Sequence, residues 1–165
     1  ILPIVQYGNP VLKQRAVEVE NIDADLDDYM SDMLETMHLA NGIGLAAPQV
    51  SRSIRVFVMV DEDRREWKLV NPKLMDSKGS CVMEEGCLSV PGVYIPLVRA
   101  STVEIEFYDG SGILIQKKLG GLAARVFLHE RDHLDGKVMI DSLSADHRKW
   151  LIDNVSSLKR VHRIG

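Results

Sequence analysis

The segment that decides the fold is residues 122–134, LAARVFLHERDHL, because it joins the period of a buried helix to an H-E-x-x-H motif. At about 100° per residue, one arc of about 60° holds Leu122, Val126, His129 and His133. The two imidazoles therefore lie one turn apart and point the same way, as ligands of a shared metal ion must. The segment predicts a metal-binding helix over about 120–135, and Gly136 is placed to stop it.

The acid inside the motif has a different geometry. Glu130 lies about 100° round the helix from His129, which is too wide an angle for a third ligand. It suits a carboxylate that takes a proton from an attacking water and returns it to a leaving group. The alternative interpretation is a surface helix with two histidines and an acid, but the apolar Leu122, Val126 and Leu134 favour a buried face.

A third ligand does not follow from the usual zinc-protease patterns. Position 139 is Met139 where a metzincin has histidine, and Glu130 is the last glutamate, so the gluzincin pattern fails as well. The remaining candidates are Asp141, Asp146, His147, His38, Cys81 and Cys87. Cys87 stands out because a thiolate with two imidazoles suits Zn(II) or Fe(II) and leaves a position for water. Its alternative interpretation is a small buried hydrophobic residue.

Composition places the chain among globular proteins of one domain, over residues 1–165. Hydrophobic residues make up 45%, charged residues 27%, and the formal net charge is -4. That balance, with no block of like charge, argues against a nucleic-acid or membrane-surface protein. No segment reaches the ~18 apolar residues of a membrane span. Two cysteines cannot build a disulfide framework, which indicates a reducing compartment.

Hydrophobic periodicity predicts the other elements. They are a helix over 24–40 with Asp23 as its cap, strands over 53–60, 67–70 and 102–108, a hairpin partner over 113–118, and a helix over 146–165. Asn71-Pro72 is expected to end the second strand. The sequence thus predicts an α+β fold, with antiparallel sheets packed around the central metal-binding helix and a C-terminal helix.

Two uncharged stretches interrupt this pattern, Leu39–Ser51 and Gly86–Val98. Both are rich in Gly and Pro, so neither is expected to form a plain helix or strand. The first contains Gln49 and the second Cys87, which makes them the first places to search for a site.

Three segments together resemble the peptide deformylase family. They are residues 42–49 (GIGLAAPQ), 85–89 (EGCLS) and 129–134 (HERDHL). The resemblance runs from about Asn9 to Asp141. The 38-residue separation of Gln49 and Cys87 leaves no room for the insertions of longer subtypes, and the helical tail is similar to that of the bacterial type 1 form. Four positions depart from the family pattern, namely Leu128, Tyr94, Arg131 and Ser51.

The resemblance implies a role for each matching position. Cys87, His129 and His133 would hold one divalent metal ion, natively Fe(II), with Zn(II), Ni(II) or Co(II) as replacements. Glu130 would be general base and then acid, while the Gln49 amide and the Leu88 backbone N–H would stabilise an oxyanion. The backbones that would pair with an extended substrate are those of Ile43, Gly44 and Gly86. The walls of a methionine pocket would be Met83, Leu122 and Val126.

The implied reaction removes the N-formyl group from the initiator methionine of nascent chains and releases formate. Metal-bound water would attack the formyl carbon. The implied partners are N-formylmethionyl peptides and nascent chains at the ribosome, with no direct nucleic-acid site and no membrane. The implied location is the bacterial cytoplasm, or an organelle if a leader was removed.

Two other classes of function compete with this one. A cysteine hydrolase would use Cys87 as nucleophile and Gln49 in its oxyanion hole, but it leaves one histidine and Glu130 without roles. A non-catalytic domain would use the metal for folding or bind a formyl-peptide without cleaving it. Structural zinc sites usually have four protein ligands, and the sequence offers no evident fourth.

Overall fold

The computed structural model describes residues 1–158, except the side chains of residues 151, 152 and 155–158. Its helices and strands are α1 (Ala24–Leu39), β1 (Gly44–Ala46), β2 (Val56–Val60), β3 (Glu66–Lys78), β4 (Cys81–Cys87), β5 (Val90–Arg99), β6 (Thr102–Tyr108), β7 (Leu114–Gly120), α2 (Gly121–Leu134) and α3 (Ala145–Leu158). The predicted C-terminal helix is confirmed as far as residue 158, and the part predicted over 159–165 lies outside the described residues. No helix within 1–158 is long and apolar enough to cross a bilayer.

The main sheet is antiparallel and has helices on both faces. Its strand order is β1-β2-β3-β6-β7. Every residue of β2 is buried, because its alternate side chains face opposite helices. Phe57 packs against Phe127 of α2 with ring centroids 5.5 Å apart, whereas Val58 belongs to the same apolar cluster as Met33 of α1. A continuous apolar run in this strand is therefore the consequence of two-sided burial.

Helix α1 confirms the prediction for residues 24–40. The Asp23 side chain accepts a hydrogen bond from the Leu26 N–H at 2.9 Å and caps the helix. Its apolar stripe is buried against the sheet and consists of Leu26, Met30, Met33, Leu34 and Met37. The three methionines of this stripe are therefore core residues.

Strand β3 corrects one prediction, since it continues to Lys78 past the expected stop at Asn71-Pro72. Its register against β6 shifts between Val70 and Lys73, and Asn71 has φ 49°. This irregularity accommodates Pro72, which cannot donate to a ladder, so the strand resumes after it.

A separate two-stranded hairpin, β4–β5, corrects another prediction. The stretch Gly86–Val98 lies mostly within β5, although its Gly and Pro content predicted neither helix nor strand. In a two-stranded sheet each strand has an unpaired edge, where proline is tolerated. The other stretch, Leu39–Ser51, holds only the short β1 and a 3₁₀ turn, Ala47–Val50.

Helix α2 lies between the main sheet and the hairpin. Glu62, from the β2–β3 loop, accepts a hydrogen bond from the Ala123 N–H at 3.0 Å at the start of the helix. Gly136 follows its end with φ 75°, as the sequence predicts. The preceding β6–β7 hairpin also matches the prediction, although β7 ends two residues later, at Gly120. The predicted α+β class, with antiparallel sheets around this helix, is confirmed.

Candidate metal centre

The three predicted metal ligands lie together. His129 and His133 are one turn apart on α2, and Cys87 is the last residue of β4. Their ligand atoms all lie within 4.8 Å of one another, and Cys87 Sγ is 3.4 Å from His133 Nε2. All three side chains are buried. One sulfur and two imidazole nitrogens form a donor set that suits a divalent transition metal.

The other candidate ligands lie elsewhere. His38 pairs with Glu66 at the surface, Asp141 pairs with Lys13, and Cys81 is exposed at the opposite end of β4. Asp146 and His147 are exposed on α3. Within residues 1–158, the trio of Cys87, His129 and His133 is the one group of its kind that could hold a metal ion.

Glu130 stands beside this trio as a buried acid. Its Oε2 lies 3.9 Å from His129 Nε2, and its Oε1 has no hydrogen-bond partner among the described residues. Burial raises the pKa of Glu130 to about 7, although the neighbouring His129 charge opposes the shift. A buried, unpartnered carboxylate oxygen next to a sulfur and two nitrogens fits a metal site that also holds water. A carboxyl with a pKa near neutrality can both take and return a proton.

The two histidines differ in their electrostatic surroundings. Burial lowers the pKa of both, and for His133 the neighbouring positive groups add to that effect. For His129, burial is outweighed by the charge of Glu130 and by hydrogen bonds to Cys87 and Glu85, which raise its pKa. A raised pKa means that His129 holds a second proton more readily. A metal ion at His129 Nε2 would displace the proton there, because metal binding and protonation compete for the same lone pair.

Gln49 is held with its amide nitrogen towards the trio. Its Oε1 accepts from the Ala46 N–H at 2.9 Å, which fixes the orientation of the amide. Its Nε2 donates to Ser89 Oγ at 3.1 Å and lies 3.6 Å from Cys87 Sγ. The neighbouring Leu88 has its carbonyl hydrogen-bonded to the Gln6 amide at 3.5 Å. An N–H donor is thus positioned at the edge of the site.

A cavity of about 190 Å³ opens beside these groups. It is lined by every predicted site residue except His133, namely Ile43, Gly44, Gln49, Met83, Gly86, Cys87, Leu88, Leu122, Val126, His129 and Glu130. Gly44 is required by close approach, because a Cβ at this position would lie 2.5 Å from Glu130 Oε2 and 2.9 Å from Val126 Cγ1. The backbone of β1 at Gly44 therefore packs directly against the Glu130 carboxylate.

A network of ion pairs lies behind the trio of Cys87, His129 and His133. Glu85 accepts from Arg99 Nε at 2.6 Å, from Arg125 Nη1 at 2.6 Å and from His129 Nδ1 at 2.8 Å. Arg99 also donates to Asp132 at 2.7 Å. Burial alone would raise the pKa of Glu85, but hydrogen bonds from Arg99 and His129 hold it well below its usual range. An ionised Glu85 keeps the proton of His129 on Nδ1 and leaves Nε2 for a metal ion.

Comparison with known proteins agrees with this geometry. The family model described as polypeptide deformylase matches residues 1–149 of the chain. The chain belongs to the polypeptide deformylase family. A peptide deformylase of Chlorobium limicola is 40% identical over 164 residues, which cover 96% of this chain and 89% of that protein.

Solved structures of peptide deformylases have the same fold. The one from Legionella pneumophila aligns with a TM-score of 0.91 and 36% identity, over 98% of this chain and 96% of that one. The one from Ehrlichia chaffeensis in complex with actinonin aligns with a TM-score of 0.91 and 35% identity, over 98% and 99%. Membership of the polypeptide deformylase family makes the chain an enzyme of the hydrolase class, and its Cys/His/His cluster is consistent with a single divalent metal ion.

Several residues at the deformylase-family site were missed by sequence reasoning. Glu85 lies inside a motif used for the resemblance, yet was given no role. Arg125 is four residues before His129, so helical spacing could have placed it on the same face. Arg99 comes from β5, and no local signal connects it to α2. Two further residues of the hairpin, Glu84 and Tyr94, also line the cavity.

The four residues that depart from the family pattern lie in different parts of the structure. Leu128 is 9% exposed and belongs to the core cluster of the main sheet and α2. Ser51 has φ 71°, a left-handed conformation that favours glycine, at the end of a 3₁₀ turn. Arg131 is partly exposed on α2, and Tyr94 lies at the cavity. Of these four, only Tyr94 lines the cavity.

Proposed function

We propose that the chain removes the N-formyl group from the initiator N-formylmethionine of nascent polypeptides and releases formate. One observation carries this proposal. In a member of the polypeptide deformylase family, the buried trio of Cys87, His129 and His133 lies at the cavity that Glu130 and Gln49 also line. A metal donor set, an acid of raised pKa and an amide donor are the groups that hydrolysis of an amide needs.

Cys87, His129 and His133 would hold one divalent ion, natively Fe(II), with Zn(II), Ni(II) or Co(II) as replacements. When bound, the ion would supply Lewis acidity for the formyl carbonyl and for water. Glu85 supports this role because its bond to Nδ1 orients the His129 ring. Cys87 would bind the ion through its sulfur as a thiolate, and the Gln49 amide nitrogen, 3.6 Å away, would donate to that sulfur.

Glu130 would move the protons of the reaction. It would accept a proton from the attacking water at a carboxylate oxygen and donate it to the nitrogen of the leaving methionine. Its pKa of about 7, raised by burial, supports both transfers at neutral pH. The close approach of Gly44 confines the carboxylate to one side of the cavity.

Gln49 and Leu88 would stabilise the oxygen that gains charge when the formyl carbon becomes tetrahedral. Gln49 is preorganised by its bonds to Ala46 and Ser89, so its Nε2 donor would need little rearrangement during the reaction. Leu88 follows Cys87 directly, and its backbone N–H would be the other donor. Donors of this kind typically contribute a factor of ~10²–10³ each to turnover.

The substrate would bind as an extended strand. β1 is the edge strand of the main sheet, so one side of Gly44 and its neighbour Ile43 is available for pairing. Gly86, at the end of β4, would pair from the other side. The methionine side chain would enter the cavity between Met83, Leu122 and Val126, all of which line it.

The whole of residues 1–165 would form a single catalytic domain. Its substrates would be N-formylmethionyl peptides and nascent chains, met at the ribosome without a direct nucleic-acid site or a membrane. The net charge of -4 supports the proposal that the chain has no direct nucleic-acid site. The bacterial cytoplasm is the proposed location, or an organelle where a leader was removed.

The test is anaerobic release of formate from formyl-Met-Ala, with metal analysis of the same sample. We expect release that is proportional to bound metal, lost with a chelator and restored by Fe(II). Full release after metal removal, combined with loss on thiol alkylation, would instead identify a cysteine hydrolase. Binding of the peptide without any release would identify a non-catalytic binding protein.

A further inference from the structure

Arg125 joins α2 to the β4–β5 hairpin at three points. Its Nη1 donates to Glu85 Oε2 at 2.6 Å and to the Leu97 carbonyl at 3.0 Å. Its Nη2 donates to the Cys81 carbonyl at 2.7 Å. The residue is only 5% exposed. A planar guanidinium can serve several acceptors in fixed directions, whereas a lysine ammonium cannot reproduce that pattern.

These three acceptors surround Met83. Residues 81, 83 and 85 lie on one face of β4, because side chains alternate along a strand. Met83 is paired with Leu97 on β5. Arg125 therefore binds three groups around Met83. They are the Cys81 carbonyl two residues before it, the Glu85 carboxylate two residues after it and the Leu97 carbonyl opposite it on β5. Met83 itself lines the cavity.

The opposite wall of the cavity belongs to the helix that carries Arg125. Leu122, Val126 and Arg125 itself line the cavity. The part of the Arg125 effect that acts through Met83 is therefore separated from direct lining by the double-mutant cycle below. The hairpin is a separate sheet of two strands, and such a pair is marginally stable without outside contacts. The distance between the two walls thus depends on the bonds that cross from α2 to the hairpin.

We propose that Arg125 is a positioning residue that sets the width of the side-chain cavity by holding Met83 at a fixed distance from α2. The inference rests on the proposed function, since it concerns how the substrate's methionine is selected. The metal ligands depend on a different part of the network. Glu85 accepts two bonds from Arg99 and one from His129 that do not involve Arg125, so we expect them to remain when Arg125 is replaced.

The experiment compares Arg125→Met and Arg125→Lys with wild-type protein, each loaded with metal. The probes are two peptide hydroxamates, one with a methionine-like side chain and one with a methyl group in its place. Calorimetry measures both dissociation constants, and metal content is determined on the same samples. In Arg125→Met we expect the preference for the longer side chain to fall at least about tenfold, with metal content unchanged. Arg125→Lys retains the charge but not the three bonds, so its preference should lie in between.

Arg55→Met is the matched control. Arg55 is also a buried arginine bonded to α2, through the Leu134 carbonyl and the Asp135 carboxylate, but it does not line the cavity. It should leave the preference unchanged even if it lowers stability. Met83→Ala, alone and combined with Arg125→Met, completes a double-mutant cycle, and the two changes should be less than additive in the preference.

Three outcomes would overturn the proposal: an unchanged preference in Arg125→Met, an equal change in Arg55→Met, or full additivity with Met83→Ala. If Arg125→Met does not fold, the preference of Arg125→Lys decides, and a wild-type value there contradicts the proposal. Failure of the proposed function would appear as the absence of formate release from wild-type protein. Failure of this inference would appear only in the hydroxamate dissociation constants, because their binding does not require turnover.

Discussion

The Nδ1 atom of His129 lies 2.8 Å from Oε1 of Glu85, and this contact joins the metal-binding helix to the hairpin that carries Cys87. Two elements that are far apart in the chain supply the three side chains that could hold a metal ion. Their relative position is maintained by a buried carboxylate that also receives Arg99 and Arg125. Loss of this carboxylate would leave the buried Arg125 guanidinium without its anionic partner, and Arg99 with Asp132 alone, which is costly.

Glu85→Gln should therefore weaken metal binding. The amide can no longer hold His129 in one tautomer and orientation by charge, and such changes typically cost about 10–100-fold in metal affinity. Titration of the holoenzyme against a competing chelator measures this loss. Glu84→Gln is the control, because Glu84 is the exposed neighbour of Glu85. Equal affinities for the two variants would contradict the assigned role of Glu85.

Glu130→Gln should retain the metal and lose turnover. The amide has nearly the shape of the acid but cannot accept and return a proton, so kcat should fall by about 10²–10⁴. Formate release at saturating formyl-Met peptide gives the rate, and metal analysis confirms loading. Glu130→Ala should behave alike. A wild-type rate in either variant would refute Glu130 as the base.

Cys87→Ala should lose the metal, whereas Cys81→Ala should not. Cys87 is buried within the ligand trio, and Cys81 is exposed at the other end of β4. Removal of one of three protein ligands leaves only the two imidazoles to bind the ion. Metal content after dialysis measures the difference. Retention of metal by Cys87→Ala would show that another group supplies the third ligand.

Gly44→Ala should reduce activity without removing the metal. The added Cβ would lie 2.5 Å from Glu130 Oε2, so the carboxylate or β1 must shift. A displacement of this kind near the chemistry can cost about 10²-fold in rate. Gly120→Ala is the control, because its Cβ would meet nothing closer than 3.7 Å. Similar kcat/KM values for the two variants would argue against close packing at Gly44.

Stability should depend on pH through Asp141. Its Oδ1 accepts from Lys13 Nζ at 2.7 Å and from the Tyr7 hydroxyl at 3.1 Å. Burial alone would raise the pKa of Asp141, but the bonds from Lys13 and the Val138 N–H outweigh it and lower the pKa. The ionised form therefore stabilises the fold above the unfolded pKa of about 3.9, and this contribution is lost as pH falls through the folded pKa.

The corresponding variant is Asp141→Asn. It should lower the free energy of unfolding by about 1 kcal/mol at pH 7, and by less at about pH 3. Urea unfolding at both pH values measures the change, with the exposed Asp146→Asn as control. A loss in Asp141→Asn that is the same at both pH values would show that the charge of Asp141 does not contribute.

Local periodicity accounts for what could be predicted of the fold. The stripe of α1 and the spacing of His129 and His133 repeat within a few residues, so the sequence carries them directly. Strand β5 and the second half of β3 were missed for a different reason. Pro72, Pro91 and Pro96 signal breaks, and only the pairing of neighbouring strands shows that a bulge or an unpaired edge accommodates them.

By itself, the sequence determined the helical pair of imidazoles, the adjacent acid, and the α+β class, because these depend on residue types at short, regular spacing. Its three segments also carried the resemblance to the family. The tertiary structure brought the sulfur of Cys87, which the sequence had favoured, next to the two imidazoles, and it alone decided how His129 is oriented. Cys87 and His133 are 46 residues apart, and the Glu85–Arg99–Arg125 network combines two strands and a helix. Contacts at such separations depend on how the hairpin packs against α2, which no local pattern encodes.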